Sequence, residues 1–178
     1  LFIFPIYKMW LGKVEGVENI PKDKPFIIAA NHASYYDAIL IHSILIPKFN
    51  KKIHAFVNSS YWKYPVIKSI LNHGECIPVF VKKEKNSEEK NKMAFEKALR
   101  YIKKGEIVQI FPEGGRSYDG KLKKAYTGIA KLALKAKVPV IPTGIINSNK
   151  VLPKGKALPR FAKCSVKIRR MPVIFEQS

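Results

Sequence analysis

Apolar runs of strand length alternate with segments of helical spacing through most of this chain, and that alternation limits its fold more than any other feature. The runs at 26–30, 53–57, 76–81, 106–111 and 138–146 are short and rich in Ile, Val and Phe. Between them, residues 38–46, 61–71, 87–104 and 126–137 repeat apolar side chains at the spacing of a helix face. Strands alternating with helices predict an α/β domain, with a mixed, mostly parallel sheet and helices on both faces. The 178 residues suit one domain, 1–178, and no repeat, low-complexity tract or linker divides them.

Punctuation residues set the expected boundaries. A short strand is expected around Val14 and Val17. Pro47 is expected to end the first helix near Ile46, and Gly74 and Gly105 to close the next two. Pro65 suits the start of the better half of 61–71. Pro78 marks an edge strand or a bulge. Ser87 is the expected N-cap of the long helix, with Glu88 and Glu89 in its first turn and Met93, Ala94, Ala98, Leu99, Tyr101 and Ile102 on its buried face. Ile129, Ala130, Leu132, Ala133 and Leu134 form the apolar face of the following helix. Residues 147–160 read as a loop, and 161–175 as two final short strands.

Two strand ends carry polar residues that a packed core does not need. The first reads A-A-N-H-A-S-Y-Y-D at 29–37. Open α/β sheets bind ligands at such strand ends. His32 and Asp37, across a strand-to-helix corner, can turn toward each other as a general base and the acid that orients it. Within one helix, five residues would set them about 140° apart. The plainer reading is also open: Ser34 and Asp37 have capping-box spacing, with Ser34 as N-cap and Asp37 near the positive end of the helix dipole. The second corner reads I-F-P-E-G-G-R-S-Y-D-G at 110–120. Backbone N–H groups around Gly114 and Gly115 suit an anion nest, and Arg116 beside them suits bidentate phosphate binding. An ordinary turn with an exposed ion pair, Glu113 with Arg116, is the alternative.

Charge narrows the partners. There are 33 Lys+Arg against 13 Asp+Glu, a formal net charge of +20. That excess calls for an anionic partner (a membrane surface, nucleic acid or a phosphorylated substrate) or else a lysine-rich solvated surface. No RRM, KH, zinc-finger or helix-turn-helix pattern supports nucleic acid. There is no Walker A sequence and no G-x-S-x-G elbow, which speaks against nucleotide binding and a serine hydrolase. Cys76 and Cys164 have no metal-ligand or redox spacing and read as buried thiols. Residues 1–11 are apolar and aromatic but shorter than the roughly 20 residues of a membrane span. They, with the rest of 1–24, suit a membrane-proximal lead-in, and 1–11 with the aromatic run 61–64 are the candidate apolar contacts with a lipid interface.

The two corners together, N-H-A-S-Y-Y-D at 31–37 and F-P-E-G-G-R-S at 111–117, resemble the glycerolipid acyltransferase family, best known from 1-acylglycerol-3-phosphate acyltransferases. G-E-C-I-P-V at 74–79 and V-P-V-I-P-T-G at 138–144 resemble two further blocks of that family, so the likeness runs from about 26 to 146. It implies transfer of a fatty acyl group from acyl-CoA or acyl carrier protein to a lysophospholipid hydroxyl, without metal or bound cofactor, at the cytoplasmic face of a cell membrane. An anionic membrane surface is then the expected partner of the basic surface, and nucleic acid is not. His32 and Asp37 carry the chemistry in this reading. Asn31, Ser34, Glu113, Gly114, Gly115, Arg116 and Ser117 belong to substrate binding. The family's middle block usually has an arginine just after I-P-V. Here Phe80 and Val81 follow, and the nearest cations, Lys82 and Lys83, join the binding set. Tyr126 stands where the family tends to carry a lysine. Both departures touch the acceptor phosphate and not the histidine chemistry.

Overall fold

The computed structural model describes residues 8–81, 83–153, 155–156 and 158–169. Seven strands form one sheet: β1 (Leu11–Glu15), β2 (Ile27–Ala30), β3 (Ile53–Asn58), β4 (Ile77–Val79), β5 (Ile107–Ile110), β6 (Val140–Ile146) and β7 (Cys164–Ile168), in the order β1-β7-β6-β2-β5-β3-β4. Every neighbouring pair is parallel except β6 with β7. The expected mixed, mostly parallel sheet is the one observed.

Helices cover both faces, because the central strands are apolar on both. In β2, Ile28 and Ala30 join one core and Ile27 the other. A parallel strand buried on two sides reads as such a continuous apolar run. The first core lies under α1 (Tyr36–Phe49), through Leu40, Ile41 and Leu45, and under the short α5 (Ser148–Val151). The second lies under α3 (Ser87–Lys103) and α4 (Gly128–Ala136), through Ala94, Ala98, Leu99, Leu132 and Ala133. Between β3 and β4 runs α2 (Pro65–His73), preceded by a 3-10 turn, Ser59–Lys63.

The topology places the site. From β2 the chain passes through α1, on one face, to β3 beyond β5. From β5 it passes through α4, on the other face, to β6 beyond β2. The two adjacent strands β2 and β5 therefore send their connections in opposite directions. That is a topological switch point, where an open α/β sheet leaves a crevice at its carboxyl edge.

Several boundaries differ from expectation. Pro47 lies inside α1, which runs to Phe49. Proline so close to the end removes one hydrogen bond of the last turn, and Asn50, in the left-handed region, closes the helix with its N–H on the Ile46 carbonyl. Asn50 thus does the stopping assigned to Pro47. The N-cap of α3 is Asn86, left-handed at φ 56°, and Ser87 is already helical and buried. Met93 and Leu134 are exposed, so the buried stripes of α3 and α4 are narrower than their apolar residues suggest. α4 begins at Gly128, since residues up to 127 are held in the loop after β5. Val17 sits in a 3-10 turn after β1, where Gly16 at φ 80° bends the chain. Residues 148–151, expected as loop, form α5. Pro78 lies on the edge strand β4, as its missing donor requires. Of the two final strands, β7 is present; the second falls outside the described residues, as do residues 1–7 of the lead-in.

Candidate active site

The carboxyl ends of β2 and β5 stand side by side, with Ala29 paired to Ile110. Two residues beyond β2, the His32 ring turns back toward the start of α1. Its Nδ1 lies 2.8 Å from Asp37 Oδ2. The same oxygen accepts the Ala33 N–H at 2.7 Å and the Ser34 N–H at 2.8 Å. Asp37 is 0% exposed and His32 17% exposed. Asp37 therefore does both things its spacing allows. It returns a bond to the Ser34 N–H, as the acid of a capping box does, and it holds the histidine. The N-cap position itself is Tyr35, which makes no side-chain cap bond. Ser34, fully buried, instead accepts the Tyr36 N–H and donates its hydroxyl to the Leu152 carbonyl at 2.8 Å.

Nδ1 is committed to Asp37, which leaves Nε2 as the ring nitrogen for a substrate proton. The ring itself is stacked on Phe111, centroids 3.9 Å apart and 10° from parallel. The backbone is fixed as firmly. The His32 N–H donates to Glu113 Oε1 at 2.9 Å, and its carbonyl accepts the Ser117 N–H at 2.7 Å. The two corners are thus laced together across the crevice, and the imidazole has little freedom left.

Four residues expected to meet substrate are turned inward. Asn31 donates to the Ile145 carbonyl at 2.9 Å and accepts the Ile145 N–H at 2.6 Å, tying β2 to β6. Ser34 is used as described. Glu113, buried, accepts the His32 N–H with one oxygen and the Lys123 N–H with the other, at 3.0 Å. It is therefore no ion-pair partner displayed on a turn. Ser117 is buried and donates to Asp119 at 2.9 Å. All four brace the site, because each side chain is bonded to a backbone or side-chain partner within the frame.

Gly114 and Gly115 differ. Gly114 has φ 65°, and a Cβ there would come within 2.8 Å of the Tyr126 ring, so glycine is needed. Gly115 has no such φ, and a Cβ would meet only Lys123 Nζ at 3.8 Å. Lys123 donates that amine to the Gly115 carbonyl at 3.1 Å. Lys83 is exposed, while Lys82 falls outside the described residues.

Arg116 has company that its motif does not disclose. Its guanidinium carbon sits 3.4 Å over the Tyr35 ring. The Tyr35 hydroxyl in turn receives a 3.2 Å hydrogen bond from Tyr61, on the turn before α2. Burial pushes the Tyr61 phenol up, the Tyr35 contact adds to that, and the charge of Arg116 works against it. The sequence assigns Tyr35 no role and Tyr61 only to the lipid interface, yet both stand beside Arg116. The signal open to a sequence reader was an aromatic inside the first motif, facing a cation inside the second. Among the described residues, no group of three or more His, Cys, Asp or Glu is arranged to hold a metal ion.

Comparison with known proteins agrees with this geometry. The Acyltransferase family model matches residues 12–146. The 1-acyl-sn-glycerol-3-phosphate acyltransferase of Bacillus subtilis (strain 168) is 30% identical over 145 residues, 81% of this chain and 68% of that protein. The chloroplastic 1-acyl-sn-glycerol-3-phosphate acyltransferase BAT2 of Brassica napus is 31% identical over 156 residues, covering 86% of this chain but 41% of its own length. The chain thus spans well under half of that plant relative. The crystal structure of the 1-acyl-sn-glycerophosphate (LPA) acyltransferase PlsC from Thermotoga maritima superposes with a TM-score of 0.70 at 27% identity, over 95% of this chain and 68% of that one. With a family model matching residues 12–146 and a relative 30% identical over 81% of the chain, this chain belongs to the Acyltransferase family.

Proposed function

We propose that this chain transfers a fatty acyl group from an acyl thioester, acyl-CoA or acyl carrier protein, to the hydroxyl of a lysophospholipid, with 1-acylglycerol-3-phosphate as acceptor and phosphatidic acid as product. The observation that carries the reading is the His32–Asp37 pair at the switch-point crevice, with Arg116 on the facing corner. His32 Nε2 takes the proton of the acceptor hydroxyl as its oxygen attacks the thioester carbonyl carbon. The tetrahedral adduct collapses, the C–S bond breaks, and the imidazolium returns its proton to the departing thiolate. Asp37 holds the tautomer with Nδ1–H toward it and stabilises the imidazolium. Such general-base assistance contributes roughly 10²–10⁴ in rate.

The acceptor is itself the nucleophile, so no acyl-enzyme is required. Cys164 offers no alternative. It is buried, and burial, reinforced by the nearby Asp37 charge, pushes its thiol up to about 11, so the reactive thiolate is scarce. Arg116, its planar fork seated on Tyr35, grips acceptor phosphate. The basic surface meets anionic lipid at the cytoplasmic face of the membrane. Among the described residues, no helix is long and apolar enough to cross a bilayer. Incubation with labelled acyl-CoA or acyl carrier protein and a panel of lysophospholipids, with products identified by mass, tests the reading. Labelled phosphatidic acid is the expected product, and transfer confined to phosphate-free acceptors refutes the choice of acceptor.

A further inference from the structure

A helix that carries the chain from one parallel strand to the next normally buries an apolar stripe against the sheet. The other crossover helices here do so: α1, α3 and α4 all contribute fully buried side chains. α2, which joins β3 to the edge strand β4, contributes none. Its apolar residues are nonetheless gathered on one face. Val66 and Ile70, one turn apart, are 74% and 65% exposed, and Ile67 and the preceding Tyr64 flank them in the open. Contiguous apolar surface of this kind marks a contact.

The surrounding charge identifies the contact. No Asp or Glu occurs between Asp37 and Glu75, while Lys63 and Lys68 lie on or beside α2 and are exposed. A second copy of this chain would bring the same lysines, and a net charge of +20, against themselves. An anionic bilayer surface complements both features at once, taking the apolar face below the headgroups and the ammonium groups among them. We propose that α2 is the element by which this chain docks on anionic lipid, lying in the interface with Tyr64, Val66, Ile67 and Ile70 inserted.

The position suits the acceptor chemistry, and in this respect the inference rests on the proposed acyl transfer. The turn leading into α2 leaves the carboxyl end of β3, the same edge of the sheet as His32, and Tyr61 within it bonds to Tyr35 beneath Arg116. A lipid lying against α2 is thereby presented beside the arginine proposed to hold its phosphate.

Two double variants test this: Val66→Ser with Ile70→Ser, and Lys63→Gln with Lys68→Gln. All four side chains are exposed, and thermal melting checks that both variants fold like the parent. Each is sedimented with vesicles of phosphatidylcholine and phosphatidylglycerol at 3:1 and with pure phosphatidylcholine vesicles. Turnover is measured on a short-chain lysophosphatidic acid dispersed as monomers. The apolar variant should lose roughly tenfold in binding to the mixed vesicles, and the lysine variant should approach the parent's weaker binding to neutral ones. Both should turn over the dispersed acceptor like the parent. Undiminished sedimentation of the apolar variant overturns the proposal. So does a loss of self-association, seen by analytical ultracentrifugation, with vesicle binding intact, because the face would then belong to a second copy. Turnover of the dispersed acceptor by the parent tests acyl transfer separately from docking.

Discussion

Two histidines in this chain are each bonded to a carboxylate, and they differ in what is left over. His32 meets Asp37 through Nδ1 and keeps Nε2 for a substrate. His54, on β3, meets Glu106 through Nε2 at 2.9 Å, and its Nδ1 faces the Glu75 carbonyl at 3.2 Å. His54 is 0% exposed and lies flat on Tyr101, centroids 3.5 Å apart. Both rings are stacked on an aromatic and both have an acid. The pair at the strand end is open, with one ring nitrogen left over; the pair within the sheet is closed in that both ring nitrogens are engaged and the ring is buried, while Glu106 stays 24% exposed. A His–carboxylate contact alone therefore does not single out a candidate base. The place in the fold decides: the switch point leaves a crevice above β2 and β5, while α3 packs over β3 and β4.

The sharpest way to break this contrast is to remove each histidine in turn. His32→Ala should lower acyl transfer by about 10²–10⁴, the usual worth of a positioned general base, while melting shifts little. The ring packs on Phe111 at the edge of the core, Asp37 keeps the Ala33 and Ser34 N–H bonds, and the backbone bonds to Glu113 and Ser117 remain. Near-parental turnover in this variant would remove the mechanism.

Asp37→Asn should follow, with a loss in rate of one to several orders of magnitude. All three bonds fall on one carboxylate oxygen: an amide oxygen placed there keeps the Ala33 and Ser34 N–H bonds and the helix start but lacks the charge that stabilises the imidazolium, while an amide nitrogen placed there meets Nδ1 as a donor and fixes the wrong tautomer. Melting and turnover on one preparation separate the two roles of Asp37. A loss of melting temperature that accounts for the whole loss of activity would reduce it to a cap.

His54→Leu should reverse the pattern. It removes the imidazole's 2.9 Å contact with Glu106 and its 3.2 Å contact with the Glu75 carbonyl, at a cost of about 1–3 kcal/mol. In a chain of this size that is a fall in melting temperature of several degrees, near 2–4 °C per kcal/mol. Turnover per folded molecule should stay within about twofold of the parent at temperatures well below the transition. A rate loss like that of His32→Ala, in a folded protein, would mean that the closed pair also takes part in the chemistry.

The open pair was legible in the sequence and the closed pair was not, for a physical reason. His32 and Asp37 are five residues apart, and a single strand-to-helix corner joins them. His54 and Glu106 are 52 residues apart, and their contact depends on β3 pairing with β5, which alternation of strands and helices does not specify. The same reason explains Asn31, Ser34 and Glu113. The sequence placed them at the site, but their partners are groups such as the Ile145 backbone, 114 residues away, or the N–H of His32, 81 residues away. Which side chains face substrate and which brace the frame is settled by strand order. Local rules held better at the α3 stop, where Gly105 adopts φ 82°, and at the edge strand with Pro78. They failed at Pro47, because a helix tolerates one lost hydrogen bond in its last turn when the rest of its face is buried.

The smallest expected effect concerns what faces the open pair. Arg116 is spread over the Tyr35 ring at 3.4 Å, and that ring is anchored by Tyr61. A guanidinium stacked in this way offers its edge to a phosphate in a fixed plane, and two N–H groups can reach two oxygens. Lysine at the same place keeps the charge but neither the plane nor the second donor. Since phosphate is held equally before and during the reaction, the loss falls on binding. Arg116→Lys should raise KM for a phosphate-bearing acceptor roughly five- to tenfold with kcat little changed. Tyr35→Leu, which removes the bed and leaves the arginine, should move KM in the same direction and by less, since a partly exposed cation–π contact is worth about 0.5–1 kcal/mol. Lys83→Ala should leave acceptor kinetics unchanged, because Lys83 is exposed to solvent. Steady-state kinetics with acceptors bearing and lacking phosphate decide the matter. An unchanged KM in Arg116→Lys, with a raised KM in Lys83→Ala, would move the phosphate site to the loop after β4, on the far side of β3 from the open pair.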